Sequence, residues 1–160
     1  YSWACISKAT PYVYGTNVTG NQRQDWVNSK YLLMWGWNPS EMRDGTNSEY
    51  FLKLARKNGA KVVCIDPRMT MSAVALADEW IPIRPGTDVA MMSAMAHVII
   101  TENLHDKDFI ERCCSGFDKS QMPEGCEDEE SYKDYILGIF DNQPKTPKWA
   151  ESIKIGRAHV

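Results

Sequence analysis

The stretch Val62-Val63-Cys64-Ile65-Asp66-Pro67-Arg68 places an apolar, mostly β-branched run directly before an acid, a proline and an arginine. A short apolar run without alternation is typical of a strand that is buried on both faces of a parallel sheet. Because Pro67 cannot donate to a sheet ladder, the strand is expected to stop there. Asp66 and Arg68 are therefore predicted at the carboxyl end of a strand, where open α/β sheets bind ligands.

Two further apolar runs predict neighbouring strands of the same sheet. Tyr31–Trp35 is expected to be a second buried strand that ends at a turn over residues 36–39. Residues 80–83 are expected to form a third, which leads into a turn over residues 84–88, and Pro82 places it near an edge or a strand end. The order of strands and helices predicts right-handed crossovers and an α/β fold with a doubly wound, mainly parallel sheet flanked by helices. The sequence gives no sign of an internal repeat or of a second domain.

Helix signals fill the segments between and after these strands. The predicted helices, with Ser, Thr, Asn or Asp near their starts, cover residues 48–57, 71–77, 88–102, 106–113, 131–137 and 147–153. Before the first strand, a short helix is expected to end before Pro11, and a loop is expected over residues 15–28. The acidic residues 124–130 are expected to form a solvated surface loop.

Composition excludes several classes of function. The chain has 160 residues and a net charge of −3, and the absence of a basic stripe argues against a nucleic-acid partner. Its longest apolar stretch, residues 89–100, is interrupted by Ser93 and His97 and is too short to span a bilayer. The five cysteines include no C-x-x-C pair, which argues against an internal zinc or iron–sulfur site. Cys64 is expected to be a core thiol.

The three turns after the strands are predicted to lie along one edge of the sheet. Their carboxylates, arginines, amide and helix start suit a nucleotide, since a carboxylate can accept both N1–H and N2–H of guanine. Arginine can stack on a base or pair with a phosphate. Asp66 is also compatible with turn formation alone, Asp88 with helix capping alone, and Arg68 and Arg84 with solvated surface charges. No G-x-G-x-x-G follows a strand, so a nicotinamide dinucleotide held in the usual way is not expected.

At these turns the sequence resembles the catalytic subunit of the dimethyl sulfoxide reductase family of molybdopterin enzymes. Three stretches in order carry the resemblance, residues 35–41, 64–70 and 77–88, and a weaker similarity continues to residues 146–149. The resemblance implies an α/β domain that holds one guanosine arm of a pair of molybdopterin guanine dinucleotides around molybdenum. The implied cofactor contacts are Gly36, Asn38, Glu41, Asp66, Arg68, Gly86, Thr87 and Asp88. Trp37 departs from the Gly-Asn-Asn-Pro pattern that is frequent in the family.

The resemblance also implies a role for the first two residues of the sequence. Tyr1-Ser2 is similar to the end of an Asp-Tyr-Ser segment whose serine binds molybdenum in dimethyl sulfoxide reductases. Ser2 is thus implied as the metal ligand and catalytic residue, and a deprotonated serine is a hard anionic oxygen suited to high-valent molybdenum. A helix-capping role for Ser2 is the alternative.

The implied activity is two-electron removal of oxygen from S-oxides or N-oxides in anaerobic respiration. The resemblance further implies an iron–sulfur cluster in a preceding part of the catalytic chain, an iron–sulfur partner subunit and a membrane anchor subunit. It implies export to, or association with, the outer face of the cytoplasmic membrane. The alternatives are a family relative with other reductive chemistry, such as a catechol dehydroxylase or another respiratory reductase, and a nucleotide-binding module without redox chemistry.

The chain is expected to be a fragment that is inactive on its own and comprises four regions. Residues 1–30 are interpreted as a segment near the molybdenum site and residues 31–117 as the guanine-dinucleotide-binding region. Residues 118–154 are interpreted as an acidic loop with short helices. Residues 155–160 match one reading frame of a common sequencing adapter and are interpreted as a sequencing scar, with an ordinary polar tail as the alternative.

Overall fold

The computed structural model describes residues 4–42 and 47–153. The strands are β1 (Tyr31–Trp35), β2 (Lys61–Ile65) and β3 (Glu79–Ile81). The α-helices are α1 (Ala4–Tyr14), α2 (Ser48–Lys57), α3 (Met71–Leu76), α4 (Asp88–Thr101), α5 (Lys107–Cys113), α6 (Tyr132–Leu137) and α7 (Pro147–Ser152). Two short 3-10 helices cover Arg23–Asn28 and Lys119–Gln121.

The three strands form a parallel sheet in the order β1-β2-β3. At the start of β2 the Lys61 N–H donates to the Lys30 carbonyl at 2.9 Å, and just after β2 the Asp66 N–H donates to the Ile81 carbonyl at 3.3 Å. Helices separate and flank the strands, so the predicted α/β class is confirmed. The apolar run that decides the fold is buried as predicted, since Val62, Val63 and Cys64 are all 0% exposed.

The prediction that β1 is buried on both faces is wrong. Tyr31 and Leu33 are 53% and 44% exposed, whereas Met34 is 1% exposed. β1 lies at one end of the three-stranded order, and the described residues cover only one of its two faces. Its alternating burial is therefore that of a strand with one buried face.

Two expectations for the N-terminal part are also corrected. α1 does not end before Pro11 but continues through it to Tyr14, and the Gly15 N–H donates to the Pro11 carbonyl at 2.9 Å. Part of the predicted loop over residues 15–28 is the 3-10 helix Arg23–Asn28. Its short i→i+3 pattern has no strong apolar period that would reveal it in the sequence.

Side-chain caps begin four of the helices, as their sequences predict. Thr70, Asp106, Ser131 and Thr146 each accept a hydrogen bond from a backbone N–H in the first turn of α3, α5, α6 and α7, respectively. Such a bond satisfies one of the amide donors that every helix start leaves unpaired. The acidic residues 124–130 are largely exposed, in agreement with the predicted surface loop.

The chain divides into two compact units, although its sequence suggested a single domain. The first comprises the described part of Tyr1–Cys64 together with Met69–Trp80. Its core includes a cluster of Met34, Leu52, Val62, Cys64, Ala73 and Leu76. The second comprises Ile65–Arg68 and the described part of Ile81–Val160. In this second unit α4 contacts α6 and α7, and the small residues Ala90, Ala94 and Ala150 pack together with Trp149.

Among the described residues, no helix is both long and apolar enough to cross a membrane. The four-region division predicted from the sequence remains a prediction, and residues 155–160 lie outside the described residues.

Candidate functional site

The second and third predicted turns follow neighbouring parallel strands and belong to the same compact unit. The hydrogen bond from the Asp66 N–H to the Ile81 carbonyl, 3.3 Å long, sets the end of β2 beside the end of β3. The turn over residues 66–68 and the loop over residues 84–88 therefore leave the same edge of the sheet. This is the edge at which parallel α/β sheets bind ligands.

Asp66 shapes the turn after β2. It is 9% exposed, and its Oδ1 accepts a hydrogen bond from the Arg68 N–H at 2.9 Å. A carboxylate that bonds its own chain two residues on forms an Asx turn, so the turn-forming role considered for Asp66 is observed. Arg68, by contrast, is exposed. Cofactor contacts by Asp66 and Arg68 stay predictions.

Thr87 and Gly86 shape the loop before α4. Thr87 is the N-cap residue, but its hydroxyl donates to the Arg84 carbonyl at 2.7 Å and forms no side-chain cap. The sequence predicts Thr87 or Asp88 as the cap of α4, and the Thr87 hydroxyl does not provide this cap. Gly86 has a φ of +83°, which glycine adopts without strain, and a Cβ at this position would meet nothing within 4 Å. Asp88, the first residue of α4, is half-buried.

The first predicted turn belongs to the other unit and is compact in itself. Asn38 is 9% exposed, and its backbone carbonyl accepts the N–H groups of Glu41 and Met42 at 3.1 and 3.0 Å. Its side-chain Oδ1 accepts a hydrogen bond from the buried Ser72 hydroxyl at 2.6 Å. Gly36 opens the turn with a φ of +56°, and Glu41 is exposed.

The structure accounts for Trp37, the residue that departs from the family pattern. Its ring meets the Trp26 ring edge-on, with centroids 5.6 Å apart, and both rings pack against the core of the first unit. Trp37 thus holds the turn to the 3-10 helix Arg23–Asn28. The sequence does not predict this pair, because the composition of residues 15–28 favours a loop around Trp26.

The loops at the ends of β2 and β3 fit a guanosine phosphate in the chemistry of their donors. A carboxylate at Asp88 can accept guanine N–H groups, and the guanidinium groups of Arg68 and Arg84 can pair with phosphate oxygens. The open space at Gly86 permits close approach of a ligand to the backbone. Ser2, the implied metal ligand, lies outside the described residues. Within the described ranges, no three His, Cys, Asp or Glu residues are grouped so as to hold a metal ion.

The family model described as "Molybdopterin oxidoreductase" matches residues 4–155. The chain belongs to the molybdopterin oxidoreductase family. This agrees with the resemblance found at the three turns. Membership implies a molybdenum–molybdopterin cofactor, which the strand-end residues of the second unit fit in donor chemistry.

Two curated relatives cover nearly the whole chain. Dimethyl sulfoxide reductase DmsA of Escherichia coli (strain K12) is 44% identical over 156 residues, which are 96% of this chain and 19% of the relative. A trimethylamine-N-oxide reductase of Haemophilus influenzae is 33% identical over 164 residues, covering 96% of this chain and 18% of the relative. The chain thus spans about a fifth of the length of these relatives.

A solved structure of similar fold is acetylene hydratase from Pelobacter acetylenicus. It superposes with a TM-score of 0.56 and 31% sequence identity, covering 84% of this chain and 17% of the other. The fold of this chain is therefore similar to that of one part of the larger acetylene hydratase chain.

Proposed function

We propose that the protein carrying this chain is a molybdenum oxidoreductase that removes oxygen from S-oxides or N-oxides in anaerobic respiration. The observation that carries this proposal is the 44% identity to dimethyl sulfoxide reductase DmsA over 96% of the chain. The likeness to a trimethylamine-N-oxide reductase supports the inclusion of N-oxides among the substrates.

The role proposed for this chain is to hold one guanosine arm of a bis(molybdopterin guanine dinucleotide) cofactor. In the second unit, the Asp88 carboxylate accepts guanine N–H groups, and Arg68 pairs with a phosphate. The first-turn amides of α4, which the Thr87 side chain does not cap, add donors for the same phosphates. By the resemblance of its own turn, Gly36, Asn38 and Glu41 of the first unit are proposed separately as cofactor contacts.

The bound cofactor supplies two-electron oxygen-atom transfer at molybdenum, with the electrons delivered through an iron–sulfur cluster elsewhere in the catalytic chain. The chain's own contribution to the reaction is to position the cofactor and to shield it from water. Ser2 is proposed to provide the molybdenum with a hard anionic oxygen ligand.

The proposed setting is a complex with an iron–sulfur electron-transfer subunit and a membrane anchor subunit. The complex would act on the outer face of the cytoplasmic membrane. These partners are proposed by analogy with the oxide reductases that the chain resembles, and no nucleic-acid partner is proposed because the chain carries a net charge of −3.

A panel of electron acceptors tests the proposed reaction. The intact protein that carries this chain would be assayed with a reduced viologen dye and dimethyl sulfoxide, trimethylamine N-oxide, nitrate or a catechol. Turnover of the two oxides is expected. Turnover of nitrate or the catechol alone would be compatible with the family assignment but would reject the proposed reaction. Acceptors beyond the oxides are included because the alternative is a family relative with other reductive chemistry. A protein without bound molybdenum would favour a nucleotide-binding module without redox chemistry.

A further inference from the structure

We infer that Ser72 is a positioning residue, which fixes the turn over residues 36–42 in the conformation that contacts the cofactor. The inference rests on the proposed function, because it concerns how one of the proposed contact turns is held. It assigns a role to a serine on α3 that lies outside the proposed contact set.

Ser72 makes a buried connection to the turn from two directions. It is 0% exposed. Its hydroxyl donates to Asn38 Oδ1 at 2.6 Å and accepts a hydrogen bond from the Ser40 N–H at 2.9 Å. The Ser72 N–H also points to Asn38 Oδ1, at 3.4 Å. One hydroxyl therefore uses both its donor and its acceptor capacity to tie two residues of the turn to α3.

Ser72 is itself fixed in place by the start of α3. The Thr70 hydroxyl accepts the Ala73 N–H at 3.1 Å and caps the helix. Ala73 and Leu76 from the same helix lie in the core of the first unit. The Ser72 hydroxyl thus connects a capped helix to the turn over residues 36–42, which contains no helix or strand.

The far side of the turn is held by α2. The Ser40 hydroxyl hydrogen bonds with the Glu49 carboxylate and is the main cause that lowers the pKa of Glu49. Ser40 therefore has its backbone held by Ser72 and its side chain held by Glu49. Since the Asn38 carbonyl also accepts the Glu41 N–H at 3.1 Å, the position of Ser72 is transmitted to Glu41.

Removing one partner of a buried hydrogen bond is destabilising, because it leaves the other partner unsatisfied and away from water. Ser72→Ala would leave the Ser40 N–H without its partner and Asn38 Oδ1 with only the 3.4 Å contact from the backbone N–H of residue 72, and would loosen the turn. A ligand that binds the ordered turn would then bind more weakly, because the ordering has to be regained on binding.

Three variants of the intact protein separate hydrogen bonding from packing. Ser72→Ala removes the hydroxyl, Ser72→Cys keeps the approximate volume with a much weaker donor, and Ser72→Thr keeps the hydroxyl but adds a methyl group. Ser93→Ala, a serine on α4 that is 5% exposed, is the matched control. The measurement is the guanine nucleotide bound per protein and its rate of loss in dilute urea.

We expect Ser72→Ala and Ser72→Cys to lose the nucleotide about fivefold faster or more. Ser72→Thr and Ser93→Ala should retain it as the wild type does. Wild-type retention by Ser72→Ala, or loss by Ser72→Thr with retention by Ser72→Cys, would overturn the positioning role while leaving the proposed function intact. A wild-type protein that carries no guanine nucleotide would overturn the proposed cofactor and, with it, this inference.

Discussion

The carboxylate of Asp78 accepts a hydrogen bond from the backbone N–H of Val62 at 2.8 Å. The Asp78 N–H donates in return to the Val62 carbonyl at 2.7 Å. The other carboxylate oxygen pairs with Arg56 of α2, through Nη2 at 2.5 Å and Nε at 3.1 Å. Asp78, the residue before β3, thus joins the start of the central strand β2 to the end of α2 within one unit.

We expect Asp78→Ala to loosen the start of β2. The variant loses the acceptor for the Val62 N–H and the partner of Arg56. Hydrogen bonds to a charged acceptor contribute about 1–2 kcal/mol in a partly exposed position, which corresponds to roughly 5- to 30-fold faster amide exchange. Hydrogen exchange of the peptide that contains β2 in the intact protein measures the effect.

Glu79→Ala is the control for this variant. Glu79 pairs with Lys61 at 2.8 Å beside the Asp78 network, but both side chains are about half exposed. An exposed pair contributes little to stability, so β2 exchange should stay close to the wild type. Equal effects of the two substitutions would contradict the specific role of Asp78.

The Asp78 network also predicts a dependence on pH. The Val62 N–H, and after it Arg56, lower the pKa of Asp78 below its usual value. A carboxyl group with a lowered folded pKa adds stability that is complete above its unfolded pKa of about 3.9 and is lost as the pH falls through the folded value. The difference in β2 exchange between the wild type and Asp78→Asn, corrected for intrinsic rates, should be constant above about pH 5 and shrink below about pH 4. A difference that persists unchanged to lower pH would contradict this assignment.

We expect substitution of Lys145 to destabilise the second unit. Its side chain is 3% exposed and pairs with Asp141, while Nζ also donates to the Gln143 carbonyl at 2.7 Å. The ammonium group lies 4.7 Å from the ring centroid of Tyr135 and 5.7 Å from that of Trp149. Lys145→Met keeps the aliphatic stem but removes the charge, at an expected cost of about 2 kcal/mol.

Hydrogen exchange of the peptides that contain α6 and α7 measures the Lys145→Met effect. Lys148→Met is the matched control, because Lys148 lies on α7 and is exposed. We expect about tenfold or more acceleration for Lys145→Met and almost none for Lys148→Met. Similar exchange in the wild type and Lys145→Met would show that the ion pair and the ring contacts of the buried Lys145 side chain do not stabilise this region.

The sequence predicts the central part of the fold well because the local signals there agree. The apolar run of β2, the proline that ends it and the caps of four helices each specify a structure within a few residues. Exposure of one face of β1 was not predictable from Tyr31–Trp35, because its five side chains are all apolar and show no alternation of polarity. The continuation of α1 through Pro11 likewise overrides the local preference.

The sequence predicts where the candidate site residues lie along the sheet, but not which hydrogen bonds their side chains make. The sequence predicts Asp66, Gly86 and Thr87 at the ligand-binding edge because they follow parallel strands, and their contacts with a cofactor stay predictions. The sequence could not reveal that the Thr87 hydroxyl donates to Arg84, since a threonine before a helix usually accepts from the helix instead. Nor could it reveal that Ser72 reaches Asn38, because the two residues are 34 positions apart.

The role proposed for Asp88 is tested by the guanine content of the intact protein. Asp88→Ala removes a carboxylate from the proposed guanine contact and should lower bound guanine nucleotide several-fold in the intact protein. Asp108→Ala is the control, because Asp108 is also an acid in the first turn of a helix, α5. Acid release and quantification of guanine, with molybdenum measured in the same samples, provide the comparison. Unchanged guanine and molybdenum in Asp88→Ala would reject the contact.

The role proposed for Ser2 is tested by separating metal content from turnover. Ser2→Ala removes the oxygen that is proposed to bind molybdenum, while the guanosine contacts remain. Turnover of dimethyl sulfoxide should fall to background, whereas guanine content and thermal unfolding of the intact protein should stay near the wild type. Ser7→Ala, an exposed serine on α1, should leave all three quantities unchanged. Activity near that of the wild type in Ser2→Ala would remove Ser2 from the ligand role, and a loss of guanine together with activity would instead indicate that Ser2 supports the fold around the cofactor.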